Sequence, residues 1–169
     1  PYTRGAEISR PFAAIVDEAR ALVGAGAKEI TLLGQNVNAW RDADGRSLEH
    51  LIRALDALPG LARIRYMTSH PTDMTEGLIR AHGDVEKLMP FLHLPVQSGS
   101  NRVLKALNRS HDAESYLRIL VRVRAGRPEL AVARAFMRAY PGEPGPAAQH
   151  TRRLVPRRSP PEAIPQQLA

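Results

Sequence analysis

The polar side chains of this sequence that could do chemistry follow three short apolar segments directly. They are amides, hydroxyls and one imidazole: Gln35, Asn36 and Asn38 after the first segment, Ser69 and His70 after the second, and Gln97, Ser98 and Ser100 after the third. Such groups bind a polar ligand by hydrogen bonds without needing a full charge. Polar residues after any one segment would also suit an ordinary loop or helix cap. The prediction therefore depends on polar residues following three successive apolar segments.

Alternating strand and helix patterns would position these groups. Apolar runs at 29–33, 63–68, 91–94 and 130–133 are typical of buried strands. Helical spacing of apolar residues predicts helices over 12–24, 47–58, 72–81, 100–107 and 111–125, with Ser9 as a cap and Pro11 in the first turn of the first helix. We therefore predict an α/β fold with parallel strands, either a partial β/α barrel or a doubly wound sheet. In both folds the carboxyl ends of the strands meet at one edge. The polar residues that follow the three apolar segments should therefore lie close together there.

Composition excludes several kinds of site. The 169 residues contain no cysteine, so this chain has no disulfide, no thiolate zinc site and no cysteine ligand for an iron–sulfur cluster. No phosphate-binding glycine loop or Gly-x-Ser-x-Gly turn is present, and the spacing of the histidines predicts no metal site. The formal net charge of +7 suits a polyanion such as RNA.

Two arginines each have two interpretations. Arg102 and Arg109 follow the third polar group, and either could contact a phosphate or carboxylate or simply face solvent. His93 lies within an apolar strand and is expected to be a hydrogen-bonded core residue.

Residues 1–140 are predicted to form the folded core, and the Pro- and Arg-rich residues 141–169 are predicted to be a disordered or frame-damaged tail.

Several colinear motifs carry a family resemblance. They are PYTRG at 1–5, LLGQNVNAW at 32–40, TSHP at 68–71, LHLPVQSGS at 92–100 and NRSH at 108–111. Over about residues 1–130 the sequence resembles the tRNA methylthiotransferases, which are radical S-adenosylmethionine (SAM) enzymes. The resemblance implies part of a radical SAM β/α barrel.

The resemblance also implies a function and a set of ligands. The family is cytoplasmic, uses SAM and [4Fe-4S] clusters, and methylthiolates C2 of an N6-isopentenyladenosine next to the anticodon, so the implied partner is a tRNA anticodon stem-loop, with no membrane and no evident protein partner. Gln35, Asn36, Asn38, Ser69, Gln97 and Ser98 would line the SAM side of the barrel. His70 and Arg102 are the further candidates for cofactor binding, and no catalytic residue is assigned.

The missing cysteines set the expectation for activity. Because the cluster ligands of the family are absent, the sequence predicts a fragment of the radical SAM core that is inactive alone. Three alternatives stay open: a cysteine-free RNA-binding module, a pseudogene remnant and, more weakly, an aldolase-like barrel enzyme.

Overall fold

The computed structural model describes residues 8–133 and residue 135. Helices alternate with short strands along this part of the chain. The helices are α1 (Phe12–Gly24), α2 (Leu48–Asp56), α3 (Glu76–Asp84), α4 (Asn101–Ala106) and α5 (Ala113–Gly126). The strands are β1 (Glu29–Leu32), β2 (Arg63–Tyr66), β3 (Phe91–His93) and β4 (Ala131–Ala133), and two 3₁₀ turns span Val37–Ala39 and Pro71–Asp73.

The strands pair in parallel, as the alternation predicts. β1 pairs with β2, and β3 pairs with β4. A single parallel bridge between Ile64 and Leu88 links the two pairs, with hydrogen bonds from Ile64 N to Lys87 O at 2.7 Å and from Met89 N to Ile64 O at 2.9 Å. The α/β class is thus confirmed, whereas barrel closure lies beyond what residues 8–133 and 135 show.

The helices pack on one face of the strands. Ile30, Ile64 and Leu92 are at most 9% exposed and share one hydrophobic core with apolar residues of α1, α2, α3 and α5. Because successive strand residues point to opposite faces, their neighbours point away from that core. We call this second face the polar sheet face and define it by Glu29, Arg63, Arg65, Phe91 and His93, all of which are partly or well exposed.

Helices α3 and α5 approach each other closely at two glycines. A Cβ added to Gly83 would lie 3.3 Å from the Cα and carbonyl oxygen of Gly126. Just beyond α5, the side chain of Arg127 is only 15% exposed, and its Nη1 donates to the carbonyls of His82, Val85 and Leu88 at 3.2, 3.2 and 2.6 Å. This guanidinium therefore supplies a charged donor to one carbonyl in the last turn of α3 and to two carbonyls in the segment that follows it.

Two sequence predictions about helix starts are wrong. Pro11, not Ser9, occupies the N-cap position of α1, and no side chain caps that helix. The helix predicted over 72–81 is divided: a 3₁₀ turn comes first, and α3 begins only at Glu76, where Thr75 Oγ1 accepts from Leu78 N at 3.2 Å. The proline after His70 favours the tight turn, which leaves Thr75 as the effective cap.

Three further expectations remain predictions. The predicted tail at 141–169 and the domain boundary at 140 lie outside the described residues, so both stay predictions. No described helix is long and apolar enough to span a bilayer, and the cytoplasmic location also stays a prediction.

Candidate functional site

The side chain of Asn38 joins the loops after β1 and β2 by hydrogen bonds to main-chain atoms. Asn38 is 1% exposed; its Nδ2 donates to His70 O at 2.9 Å, and its Oδ1 accepts from His70 N at 2.8 Å. Val37 N also donates to Thr68 O at 2.9 Å. The first two polar groups predicted from the sequence are therefore brought together.

His111 links the polar residues that follow β3 to those that follow β2. The imidazole of His111 is 7% exposed, and its Nε2 donates to Val96 O at 3.2 Å. Its ring centroid lies 5.3 Å from that of His70, with the planes at 76°. Ser98 is fully buried, and its Oγ accepts from Ser100 N at 3.1 Å. We call these three loops, together with Arg109 and His111 from the segment between α4 and α5, the rim.

Two rim residues adopt a backbone conformation that L-amino acids rarely adopt. Thr68, after β2, has φ of 62°, and Gln97, after β3, has φ of 71°. Thr68 is β-branched, and its Oγ1 donates to Gly34 O at 2.5 Å. Each such residue costs on the order of 1–3 kcal/mol unless the surroundings impose it, and such strain clusters at ligand sites. Strain at two successive strand ends marks the rim as a candidate site.

Several buried polar atoms of the rim have no hydrogen-bond partner within the described part of the chain. They are Asn36 Oδ1, Ser69 Oγ, Arg109 Nε and His111 Nδ1. Buried polar groups are nearly always paired in folded proteins. These four atoms therefore offer a ligand two acceptors (Asn36 Oδ1 and His111 Nδ1), one hydroxyl and one charged donor that the described residues do not use.

The electrostatics of the rim keep its histidines neutral. Burial lowers the pKa of His70, and the nearby His111 and Arg109 lower it further, against the opposing effect of Asp73. Burial also lowers the pKa of His111, although its bond to Val96 O raises it and Asp112 does so too. The guanidinium of Arg109 is consequently the fixed positive charge beside two neutral imidazoles.

A groove adjoins the rim beside β1. It encloses about 920 Å³ and is lined by residues of α1, β1 and the following loop, including Gln35, Asn36 and Trp40. Asn36 Nδ2 donates to Asp73 Oδ2 at 2.7 Å, which ties this groove to the loop after β2. Ligand sites are commonly of this size. Arg102, in contrast, lies exposed on α4.

Sequence reasoning left three rim residues off its candidate set. The sequence leaves Arg109 open between a ligand contact and a solvent-facing charge, predicts His111 as the start of a helix, and predicts Thr68 as the end of a strand. The segment 108–111 did carry a signal, since it places an arginine and a histidine two residues apart just before a helix cap. Within the described residues, no group of three His, Cys, Asp or Glu suits a metal ion.

Comparisons with known proteins identify the relatives of this chain. Residues 1–142 match the family model of the radical SAM superfamily. The tRNA-2-methylthio-N(6)-dimethylallyladenosine synthase of Novosphingobium aromaticivorans is 61% identical over 92% of the chain, and that of Zymomonas mobilis is 62% identical over 92%. The Sphingopyxis alaskensis protein of the same name is 65% identical over 85%. The chain spans 36% of the length of the first two relatives and 33% of the third.

Proposed function

Because the chain belongs to the radical SAM superfamily, we propose that its rim binds SAM and that it is the central part of a tRNA methylthiotransferase. The relatives more than 60% identical carry the name of an enzyme that forms a 2-methylthio group on a dimethylallyladenosine of tRNA. We extend that substrate, an N6-isopentenyladenosine of the anticodon stem-loop, to the protein of which this chain would be part.

The observation that carries the proposal is the set of unpaired buried polar atoms at the rim. Asn36 Oδ1, Ser69 Oγ and Arg109 Nε lack partners in the described residues, and SAM offers hydroxyl, ammonium and carboxylate groups that pair with such atoms. The donors and acceptors thus fit SAM in kind. When bound, SAM supplies an activated methyl group on a sulfonium.

Each side chain of the rim has a task under this proposal. Arg109 pairs with the carboxylate of SAM, and Ser69 and Asn36 bind its polar groups by hydrogen bonds. Asn38 holds the loops after β1 and β2 in register, since both of its amide atoms bond to the His70 backbone. His70, Gln97 and Ser98 remain proposed ligand contacts, as does Gln35 from the groove.

The iron–sulfur cluster of the superfamily does not fit this chain. Its ligands are thiolates, and the sequence contains no cysteine. We therefore assign no radical step to these residues, and we expect the chain alone to be inactive in methylthiolation.

Isothermal titration of the purified chain with SAM tests the assignment of the rim. We expect binding that weakens about tenfold in Arg109→Gln and several-fold in Ser69→Ala, because a charge-assisted and a neutral hydrogen bond are lost. Arg124→Gln, on the exposed face of α5, is the matched control and should bind SAM unchanged. Equal affinities in all four proteins, or no binding at millimolar SAM, would refute the assignment.

Cluster formation tests the second part separately. Anaerobic incubation with iron and sulfide should leave the chain without the broad absorbance of a [4Fe-4S] cluster. It should also leave the chain unable to methylthiolate tRNA. A stoichiometric cluster on this cysteine-free chain would contradict the reasoning from its donor set.

A further inference from the structure

We propose that Asn108 and His111 are positioning residues, which hold the short turn between α4 and α5 so that the guanidinium of Arg109 is fixed in the rim and pairs there with a carboxylate of the ligand. We call residues 108–111 the arginine turn. The identity of the ligand as SAM rests on the proposed function, whereas the two anchors of the turn follow from the geometry of the chain itself.

The first anchor of the arginine turn is the way in which α4 ends. Asn108 has φ of 53°, in the left-handed region. Arg109 N donates to Leu104 O at 2.9 Å, and Asn108 N donates to Lys105 O at 3.0 Å. These two hydrogen bonds around a left-handed residue form a Schellman motif, in which asparagine is the common alternative to glycine. Residue 108 therefore sets the direction in which the chain carries Arg109 away from α4.

The second anchor is the imidazole of His111. Its Nε2 donates to Val96 O, and its ring packs edge-on against that of His70, so it joins the turn to the loops after β3 and β2 at once. Arg109 precedes His111 by two residues, and two residues span at most about 7 Å. The backbone of Arg109 is thus held near the rim from both sides of the turn.

Arg109 occupies a position at which this motif often carries an apolar side chain. In a Schellman motif the residue after the left-handed one frequently makes a hydrophobic contact with the helix. Here that residue is an arginine, and its Nε is buried without a hydrogen-bond partner in the described residues. A buried donor without a partner lowers stability. A ligand that pairs with this donor explains the arginine, whereas packing does not.

Other unpaired nitrogens among the described residues differ from Arg109 in charge or in surroundings. His93 Nδ1 in β3 and His82 Nδ1 in α3 are buried without a partner, so the expectation of a hydrogen-bonded core histidine at His93 is wrong. Burial lowers the pKa of both imidazoles, which leaves them neutral. Arg65 stays charged, but its Nε lies 2.8 Å from a Glu29 oxygen. Arg109 therefore combines a fixed charge with an unused buried donor.

The charge of Arg109 acts on the same two rings that join the loops of the rim. Burial is the main cause of the lowered pKa of His70 and of His111, and the positive charge of Arg109 lowers each pKa further. The guanidinium therefore lies close to both imidazoles. A carboxylate that enters the rim beside them meets one fixed positive charge and two neutral rings, which favours its binding to Arg109.

An NMR measurement on the full chain without ligand tests the two anchors. The Nε–H signal of Arg109, assigned by its absence in Arg109→Lys, should exchange with solvent roughly tenfold or more slowly than that of free arginine, because the atom is buried. Asn108→Gly, which keeps access to the left-handed region, and His111→Gln, which keeps a donor, should retain this protection. Asn108→Val, whose β-branched side chain disfavours that region, and His111→Leu should lose it. Ser110→Ala, at an exposed position of the turn, is the matched control and should leave it unchanged.

Isothermal titration with SAM and with decarboxylated SAM tests whether the anchored arginine meets a carboxylate. The ratio of the two dissociation constants isolates the carboxylate, since a loss of folded protein affects both ligands equally. We expect the parent chain, Asn108→Gly and His111→Gln to prefer SAM by about tenfold. In Asn108→Val and His111→Leu the preference should fall below about threefold, as in Arg109→Gln. Circular dichroism checks that each variant is folded.

Three outcomes would overturn the proposal. The first is equal protection of the Arg109 Nε–H in all variants, because neither anchor would then be needed. The second is a preference for SAM that survives in Asn108→Val and His111→Leu but disappears in Arg109→Gln. The third is an equal loss in His111→Gln and His111→Leu, which would assign His111 a direct ligand contact through Nδ1.

The positioning of Arg109 and the proposed function fail in different measurements. A parent chain that does not bind SAM would refute the proposed function. The protection of the Arg109 Nε–H, which needs no ligand, would still decide whether Asn108 and His111 hold this side chain in the rim.

Discussion

The buried pair of Tyr66 and His82 predicts a specific loss of stability in acid. Tyr66 is 2% exposed and His82 is fully buried, and the tyrosine hydroxyl lies 2.6 Å from His82 Nε2. Burial, and secondarily the charge of Arg127, lowers the pKa of His82 from 6.5 to about 4. Burial also raises the pKa of Tyr66, so the hydroxyl stays protonated and donates to the neutral imidazole.

The direction of the pH effect on stability depends on whether the folded or the unfolded chain binds the proton. Between pH 6.5 and 4 the unfolded chain protonates this histidine while the folded chain does not, so stability is fully present above pH 6.5 and falls as the pH drops. The lowered pKa corresponds to a total loss of about 3 kcal/mol below pH 4. Between pH 7 and pH 5 the loss from this residue alone is about 2 kcal/mol.

Urea unfolding followed by circular dichroism at pH 7 and pH 5 measures the effect. The comparison is with the double variant Tyr66→Phe, His82→Leu, which removes the titrating ring without leaving the tyrosine hydroxyl unpaired. The other buried histidines titrate equally in both proteins, so they cancel in the difference. We expect the parent chain to lose about 2 kcal/mol more than the variant between these two pH values. An equal loss in the two proteins would refute the assignment of the low pKa to His82.

Two further predictions concern the packing of α3 against α5. Gly83→Ala should lower the free energy of unfolding by about 1 kcal/mol, because the added Cβ meets Gly126 backbone at 3.3 Å; Gly24→Ala, with no atom within 4 Å, should raise it by about 0.5 kcal/mol, and the opposite order in urea unfolding would contradict this packing. Arg127→Gln should cost about 2–3 kcal/mol, since three carbonyls lose a charged donor. The exposed control Arg124→Gln should change thermal unfolding little, and a matching loss there would show that net charge, not carbonyl capping, is responsible.

The order of the elements could be predicted from sequence because periodicity is local information. The apolar spacing of α1 and α5 placed both helices to within about two residues. Asp112 caps α5 by accepting from Ser115 N, and Ser47 occupies the N-cap position of α2. The strand at 29–33 was likewise apparent. What the local pattern could not show is which side-chain contacts hold the loops together at that edge.

The rest of the site depends on contacts between residues far apart in the chain. Thr68 has strong strand propensity, yet hydrogen bonds to the loop after β1 hold it in the left-handed region. His111 looks like part of a helix start until its ring is seen against His70. Burial of His93 without a partner is equally a tertiary property. Each of these features arises from packing that no window of sequence contains.

The amide of Asn38 makes two loops share one opening equilibrium. Its two hydrogen bonds involve both the carbonyl and the N–H of His70. The loop after β2 therefore cannot open while the Asn38 side chain stays in place. Amide protons that open together exchange with solvent deuterium at a common free energy. The backbone amides of Val37 and His70 should therefore form one exchange unit, and a ligand that contacts either loop would slow exchange in both.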